Sequence, residues 1–273
     1  MSQTYSVVIP AYNAEHTIDA CLASVMEQTL APVQVLIIDD CSGDGTEAAV
    51  RRWQERFVSA GIEFEFTRLP GNSGPSTARN QGIRHANGSY IAFLDADDVW
   101  TRDKLEIVDR FLGDSAAGLV CHAYAEPMSL RAETQTAKHA VRPLSVYGML
   151  WRNRASSSCA IMRRQNGLNF DEAMRYCEDY DLWMRIAEHS TVLWLEGPPL
   201  TLLGRAQLSS GGLSASTLRM RAGQLRVYYK FCSRNWLRRG WLLPPLALFS
   251  LLKHLYSMYR RRTGLLDIQW RRP

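Results

Sequence analysis

Five aspartates stand at the ends of two apolar segments of this 273-residue chain. Asp39 and Asp40 end VQVLIIDD, and Asp95, Asp97 and Asp98 follow the apolar run YIAFL. Carboxylates this close repel one another. A divalent cation such as Mg²⁺ or Mn²⁺ relieves that repulsion, because it binds one or two carboxylates and takes phosphate oxygens as further ligands. A D-x-D sequence alone leaves a second interpretation open, which is a solvated acidic loop.

The segments around these acids alternate between strand-like and helical patterns. The predicted strands cover 5–10, 33–40, 62–69 and 90–95, and the predicted helices cover 16–28, 45–61 and part of 71–88. This alternation predicts an α/β fold with a mostly parallel sheet flanked by helices. In such sheets ligands bind beyond the carboxyl ends of the strands. We therefore expect the five aspartates to lie at that edge, together with Tyr12 and Asn13.

The charge of the chain is unevenly distributed. Residues 219–273 contain thirteen lysines and arginines against one aspartate, although the net charge of the whole chain is only +5. The preceding residues are therefore net acidic, and the basic tail indicates an anionic partner such as a membrane surface or nucleic acid. No nucleic-acid-binding motif accompanies the charge, so we expect no nucleic acid partner.

The segment 236–262 has the composition of a helix that lies in a membrane interface. Its uncharged run, 240–252, is too short to cross a bilayer, and arginines and aromatic residues flank it. Packing of this helix on the preceding domain is the alternative. The six cysteines form no CxxC pair, and the N-terminus does not resemble a signal peptide. We therefore expect a cytoplasmic protein, peripheral on the inner face of the cytoplasmic membrane.

Five segments in this order resemble the inverting family-2 glycosyltransferases, which have the GT-A (Rossmann-like) fold. They are VVIPAYNAEHTIDACLASVMEQT, VLIIDDCSGDGT, GNSGPSTARNQGI, FLDADDVW and CEDYDLWMRIAE, and the resemblance runs from about Tyr5 to Ser214. It implies a catalytic domain over 1–218, with a nucleotide-sugar half (about 1–112) and an acceptor half (about 113–218). A basic amphipathic helical region would follow at 219–273.

The resemblance also implies roles on the donor side. Pro10 and Tyr12 would belong to the nucleobase site, where Tyr12 would stack on the base. Asp40 would accept the imide N–H of uracil. Arg79 would contact the diphosphate or order the acids, and Asp95 would face the ribose.

Three further roles follow from the same motifs. Asp97 would bind the metal, Mn²⁺ or Mg²⁺, that bridges the two phosphates, and Asp179 would be the general base. Family members often carry a histidine as a third metal ligand after the base helix. Here Gln207 occupies the comparable position in GRAQLSSGG, and its amide oxygen is a weaker ligand.

Each assignment has a purely structural alternative. Tyr12 would then be packed in the core, Asp40 would cap the loop 41–46, and Arg79 would form a surface salt bridge. Glu178 and Asp179 would only stabilise the start of a helix, where the helix dipole favours carboxylates.

The sequence as a whole predicts a metal-dependent inverting glycosyltransferase. It would move a sugar from a nucleotide-sugar, a UDP-sugar, to a lipid-linked glycan acceptor in the synthesis of bacterial surface polysaccharide. Two alternatives remain open at this point. A nucleotidyltransferase would need a glycine-rich basic loop that PAYNAEHT lacks, and a non-catalytic scaffold would not need the intact Asp97 and Asp179.

Overall fold

A central sheet of eight strands organises the protein. The computed structural model describes residues 3–113, 115–126, 138–151, 153, 155–165, 167–204 and 216–263.

The first half of the chain supplies four parallel strands of this sheet. They are β1 (Tyr5–Ala11), β2 (Gln34–Asp39), β3 (Glu63–Arg68) and β4 (Tyr90–Phe93), in the spatial order β3-β2-β1-β4. All residues of β2 and β4 are buried, as expected for apolar strands that are covered on both faces. All four strands were predicted, with bounds within two residues of those observed.

The second half extends the sheet with strands of both directions. β9 (Ala160–Arg163) lies antiparallel between β4 and β6 (Leu119–His122), β10 (Val192–Glu196) is parallel to β6, and β8 (Ala140–Leu144) is antiparallel at the edge. Six of the eight strands therefore run in one direction, which confirms the mostly parallel sheet.

A second, three-stranded sheet lies after the acidic segment. β11 (Thr201–Leu202) pairs antiparallel with β5 (Val99–Trp100) and parallel with β7 (Tyr124–Ala125). This pairing brings a late part of the chain next to Asp97 and Asp98.

Helices cover both faces of the large sheet. In β1, Val7 and Ile9 point into one apolar cluster and Val8 into the other, because alternate residues of a strand face opposite sides. The first cluster contains α1 (Ile18–Met26), α2 (Thr46–Arg51), α3 (Gln54–Ser59) and α5 (Lys104–Leu112); the second contains α4 (Pro75–His85), α6 (Val146–Trp151) and α7 (Glu178–Ala187).

The predicted helix over 45–61 is interrupted and forms α2 and α3. At the interruption Trp53 is nearly buried, and its indole N–H donates to Asp19 Oδ1 of α1 at 2.7 Å. Tertiary packing of this tryptophan thus accompanies the break, which helical periodicity alone does not reveal.

The chain ends in three helices, α8 (Thr217–Ser233), α9 (Trp236–Arg239) and α10 (Leu243–Thr263). Val227, Tyr228 and Phe231 of α8 are buried in the second apolar cluster, and Leu246 of α10 joins them. α8 is therefore packed on the preceding part of the chain. In the segment 236–262, Leu246 is buried in the same cluster, and the choice between membrane binding and packing stays open. Even α10, with 21 residues, falls short of the apolar character of a membrane-crossing helix, and so does every other helix in the described part.

The proposed domain boundaries fall next to these elements. Residue 112 is the last residue of α5, and residue 218 is the second residue of α8. The division of the chain at these points stays a prediction.

Candidate active site

The register of β1 fixes the position of the acids at one edge of the sheet. Ala11 is paired with Asp39 of β2, and Val8 is paired with Phe93, the last residue of β4. The chain beyond each of these strands therefore leaves the sheet on the same side, at the edge where the acids were expected. Tyr12, Asp40 and Asp95 all follow these strand ends.

The loop after β1 is tied to the loop after β2. Asn13, whose backbone is left-handed (φ 49°), donates its N–H to Ser42 Oγ at 2.9 Å, and its Oδ1 accepts from Gly43 N–H at 2.9 Å. Pro10 is half-buried, and the side chain of Tyr12 is 53% exposed. The alternative of a tyrosine packed in the core is wrong; stacking of Tyr12 on a nucleobase stays a prediction.

The two adjacent acids Asp39 and Asp40 have different partners. Asp39 is fully buried and accepts hydrogen bonds from the N–H and hydroxyl of Ser42, so it is Asp39 that fixes the loop after β2. Asp40 accepts the backbone N–H groups of Ser73 and Gly74, both at 2.7 Å. The structural alternative was that Asp40 caps its own loop. The hydrogen bonds of Asp40 instead go to the glycine-containing loop. Its reading of uracil stays a prediction.

Arg79 of α4 is buried and joins two carboxylates. Its guanidinium donates to Asp95 Oδ1 at 2.8 Å and to Glu178 Oε1 at 3.2 Å, and it lies over the ring of Phe170. Burial alone would lower the pKa of Arg79, but the charges of Asp95 and Glu178 outweigh burial and raise it. Of the two roles implied for Arg79, ordering the acids is the one that this geometry supports. The surface salt bridge considered as an alternative is wrong.

The acidic loop after β4 contains one buried carboxylate and two more accessible ones. Asp95 and Asp97 are half-buried, whereas Asp98 is buried and accepts the N–H of Gly204 at 2.9 Å. Burial, together with the charge of Asp95, raises the pKa of Asp98 to about 7.

Gly204 lies directly against the backbone of Asp97. A Cβ atom at this position would stand 1.7 Å from the carbonyl oxygen of Asp97, so only glycine fits. Gly204, which follows β11, therefore brings its backbone into direct contact with the backbone of the acidic loop.

Asp179 stands in the first turn of α7, next to Glu178. Its Oδ1 accepts the N–H of Tyr180 at 2.6 Å. Burial, followed by the charge of Glu178, raises the pKa of Asp179 to about 7, and burial also raises the pKa of Glu178. A carboxylate with a pKa near neutrality is suited to accept a proton at physiological pH. Because Arg79 contacts both Glu178 and Asp95, the predicted base and the donor-side acids lie in one site.

Ser158 was not identified from the sequence. Its hydroxyl accepts the N–H of Asp95 at 3.0 Å, while its carbonyl accepts from the Trp100 indole, the buried Lys104 ammonium and the Thr201 hydroxyl. This one residue connects the acidic loop, α5 and β11. The only sequence signal was the run of three serines before an apolar segment, which is too common to identify a site.

The donor atoms at the acidic loop are suited to a hard divalent cation. Asp95 and Asp97 offer carboxylate oxygens beside Asp98, whose pKa is raised by burial and by the charge of Asp95. Within the described ranges no group of three or more His, Cys, Asp or Glu side chains could hold a metal by itself. Mg²⁺ and Mn²⁺ usually take only one or two protein carboxylates and complete their coordination with phosphate and water. Gln207 lies outside the described residues.

Comparison with known proteins gives consistent results. Residues 6–172 match the model of glycosyl transferase family 2. The chain is 26% identical over 254 residues to UDP-Glc:alpha-D-GlcNAc-diphosphoundecaprenol beta-1,3-glucosyltransferase WfgD of Escherichia coli, covering 92% of this chain and 95% of WfgD.

Two solved structures share the fold. TarS 1–349 of S. aureus in complex with UDP-GlcNAc aligns with a TM-score of 0.70 at 18% identity, covering 98% of this chain and 76% of TarS 1–349. Mannosyltransferase PcManGT from Pyrobaculum calidifontis, in complex with GDP-Man and Mn²⁺, aligns with a TM-score of 0.62 at 21% identity, covering 94% and 76%. The nucleotidyltransferase alternative is thereby excluded. The chain belongs to glycosyl transferase family 2 and is a glycosyltransferase of the GT-A fold.

Proposed function

We propose that this glycosyltransferase moves a sugar from a UDP-sugar to a lipid-linked saccharide diphosphate, with inversion at the anomeric carbon, in the synthesis of surface polysaccharide. WfgD, which matches the chain over nearly its whole length, is named for a UDP-glucose donor and a diphosphoundecaprenol-linked acceptor. We propose the same two substrate classes for this protein.

The bridge formed by Arg79 is the observation that carries this proposal. It holds Asp95, at the predicted donor side, and Glu178, at the start of the base helix, on one buried guanidinium. A direct displacement needs a donor and an acceptor hydroxyl next to each other, and a base beside the hydroxyl. The contacts of Arg79 keep the predicted donor-side acid and the helix of the predicted base next to each other, which supports such a displacement.

Asp179 is the residue that we assign as the base. The N–H of Tyr180 occupies Oδ1, so Oδ2 is the oxygen that would take the proton from the acceptor hydroxyl. The hydroxyl oxygen would then attack the anomeric carbon as the nucleoside diphosphate leaves from the opposite face. One displacement of this kind inverts the configuration and needs no enzyme nucleophile.

On the donor side, Pro10 and Tyr12 would hold the nucleobase, and Asp40 would read uracil with acceptor capacity left after its contacts to Ser73 and Gly74. Asp95 would face the ribose. Asp97 would hold Mn²⁺ or Mg²⁺, with Gln207 as a candidate further ligand. A bound cation would supply charge neutralisation of the leaving diphosphate. Metal binding is compatible with this fold, since PcManGT has been solved with Mn²⁺.

We further propose that the enzyme is peripheral on the inner face of the cytoplasmic membrane and binds the surface through residues 236–262. In support, α10 exposes about half of each of the leucines Leu248, Leu251, Leu252 and Leu255, and Trp241 next to it is 71% exposed. A helix that buries one side on the protein and leaves apolar residues outside is suited to an interface between water and lipid. Its basic sequence favours anionic headgroups.

A transfer assay tests the proposal. The purified protein is incubated with Mn²⁺, a panel of UDP-sugars and a prenyl-diphosphate-linked N-acetylglucosamine, and the product is analysed by mass spectrometry and NMR. We expect metal-dependent transfer with the anomeric configuration opposite to that of the donor, and its loss in Asp179→Asn. Retention of configuration, or transfer without any metal, would contradict the proposed chemistry. A protein that neither transfers sugar nor hydrolyses any donor would favour the scaffold alternative.

A further inference from the structure

A cleft of about 300 Å³ opens between residues 173–176, which precede α7, and the first turns of α8. Three arginines, Arg175, Arg219 and Arg226, line it together with Tyr176, and none of the described residues that line it carries a carboxylate. All three arginines are exposed, and together they give the cleft a positive potential that favours an anion.

The hydrogen bonds of Arg219 and Arg226 go to neutral groups. Arg226 donates to the carbonyl of Ala173 at 3.1 Å, and Arg219 donates to the hydroxyl of Tyr176 at 3.2 Å. Among the described residues none of the three forms an ion pair with a carboxylate, whereas Arg234, directly after α8, is paired with Glu188. Asp171 interacts electrostatically with Arg226, but its carboxylate forms an ion pair with Lys230 at 2.9 Å. Planar guanidinium groups match phosphate oxygens well.

The cleft is held at a fixed distance from the predicted base. Tyr176 precedes Asp179 by three residues, which separates their Cα atoms by at most ~10 Å. The thiol of Cys177 donates to the carbonyl of Met220 of α8 at 3.4 Å. A Cβ atom on Gly223 would stand 2.6 Å from the carbonyl of Tyr176, so α8 lies in close contact with this segment. The cleft therefore adjoins the segment that leads into the first turn of α7, where Asp179 stands.

A second, apolar groove continues from the cleft. It has a volume of about 450 Å³ and lies between α8 and α10. Its described lining includes Leu218, Leu225 and Leu251, together with Arg221 and His254. Ala222 lines both the cleft and the groove. The surface thus presents a cationic cleft and an apolar groove that meet at Ala222.

We propose that the arginine cleft binds the diphosphate of the acceptor and that the prenyl chain enters the groove between α8 and α10. This inference rests on the proposed function and gives its acceptor a position. The saccharide attached to the diphosphate then reaches toward Asp179, with its hydroxyl at Oδ2. No contact to the donor nucleotide is involved, so the cleft sets the affinity for the acceptor alone.

A binding experiment tests the cleft without relying on transfer. Farnesyl diphosphate and inorganic pyrophosphate are titrated by calorimetry into the full-length protein, with saturating UDP and Mn²⁺ so that the donor site is filled. The variants are Arg219→Gln, Arg226→Gln and Leu225→Gln, and the control is Arg110→Gln, an exposed arginine of α5 paired with Glu106. All four positions are exposed, so the variants should fold.

We expect each cleft arginine variant to weaken farnesyl diphosphate binding ~10-fold, since one charge-assisted hydrogen bond is lost. Leu225→Gln should weaken binding of farnesyl diphosphate but not of pyrophosphate, and Arg110→Gln should change neither. Unchanged binding in Arg219→Gln and Arg226→Gln, or a loss of the same size in Arg110→Gln, would overturn the proposal, as would absence of binding to the unaltered protein. If the cleft behaves as expected but no lipid-linked diphosphate accepts a sugar, the proposed function fails and the binding site stands. If the enzyme transfers sugar but both arginine variants bind the acceptor with normal affinity, the proposed function stands and the binding site fails.

Discussion

The Arg79 guanidinium donates a hydrogen bond to the Glu178 carboxylate across 3.2 Å, although the two residues are 99 positions apart in the chain. This contact joins α4, which follows the glycine-containing loop, to the first turn of α7. Asp95 lies on the other side of the same guanidinium. The position of the acceptor-side helix is therefore coupled to the donor-side acids through one buried cation.

Asp179→Asn should separate base catalysis from substrate binding. The substitution preserves the shape of the side chain but removes its ability to take a proton, so we expect kcat to fall by ~10²–10⁴-fold. Affinity for the UDP-sugar should stay nearly unchanged, because the predicted donor contacts are made by other residues. Steady-state kinetics and UDP-sugar titration measure the two effects.

Glu178→Gln is the matched control for that variant. It removes a charge from the adjacent position, while its amide oxygen can still accept from Arg79. We expect a much smaller loss of kcat. Equal losses in the two variants would indicate a general electrostatic effect and would remove Asp179 from its assigned role.

The pH dependence of kcat should report the ionisation of Asp179. The base acts when it is deprotonated, and burial with the charge of Glu178 raises its pKa to about 7. The rate should therefore rise between pH 6 and pH 8. In Glu178→Gln the midpoint should move to lower pH, because a neighbouring negative charge has been removed. A profile that is flat in both proteins under chemistry-limited conditions would argue against this ionisation.

The thermal stability of the protein should also depend on the ionisation of Asp179, and the raised pKa determines the direction of this pH dependence. A carboxyl whose pKa is raised on folding stabilises the fold at low pH, and that contribution is lost as pH rises through the raised pKa. Asp179→Asn should therefore be more stable than the parent protein at pH 8, and the difference should shrink toward pH 5. Melting temperatures across this range, with a shift of ~2–4 °C expected per kcal/mol, provide the measurement. A difference that grows toward pH 5 would have the wrong sign.

Asp97→Asn should abolish turnover and the Mn²⁺-dependent part of UDP binding. An amide is a weaker ligand than a carboxylate for a hard cation, and the diphosphate would lose its link to the protein through the metal. UDP affinity is measured with and without Mn²⁺ in both proteins. The same metal dependence in the variant and in the parent would show that Asp97 is not the ligand.

Gly204→Ala should damage the acidic loop without altering any acid. The added Cβ would meet the carbonyl oxygen of Asp97 at 1.7 Å, so the backbone must move. We expect a loss of stability of ~1–3 kcal/mol, as in other overpacked sites, and a weaker response of UDP binding to Mn²⁺. Gly43→Ala, where a Cβ would meet no atom within 4 Å, is the control and should change neither quantity.

Exposed leucines of α10 should control attachment to lipid. Leu251→Gln with Leu255→Gln removes two side chains that are 53% and 51% exposed, so the fold should persist while membrane affinity falls. Sedimentation with phosphatidylglycerol vesicles measures binding, and donor hydrolysis measures the integrity of the site. Val58→Gln, on the exposed side of α3, serves as the control. Undiminished vesicle binding by the double variant would exclude this surface.

The elements that the sequence predicted well are those with a local signal. Strands β1 and β2 are short, apolar and rich in β-branched residues, and the alternation of β1 to β4 with helices correctly predicts that the acids lie at one edge of the sheet. Likewise, the apolar spacing after Glu178 predicted α7. In these segments burial on both faces leaves a pattern that can be read within a few residues.

The contacts that were missed join distant parts of the chain. The bonds from Asp40 to Ser73 and Gly74, and the four contacts of Ser158, depend on how the strands are arranged in space. β9 has only four residues, and nothing in them indicates that it runs antiparallel between β4 and β6. Sequence spacing identified the acids, but their partners are determined by tertiary packing.

The hydrogen bonds of Asn13, Asp39 and Asp40 connect three loops through backbone groups of the protein itself. These loops therefore have their shape before a nucleotide arrives, and binding should order little additional chain. The conformational entropy lost on association is then small, and more of the contact energy appears as affinity. The heat-capacity change of donor binding should accordingly correspond to the surface of the nucleotide alone, without a contribution from coupled folding.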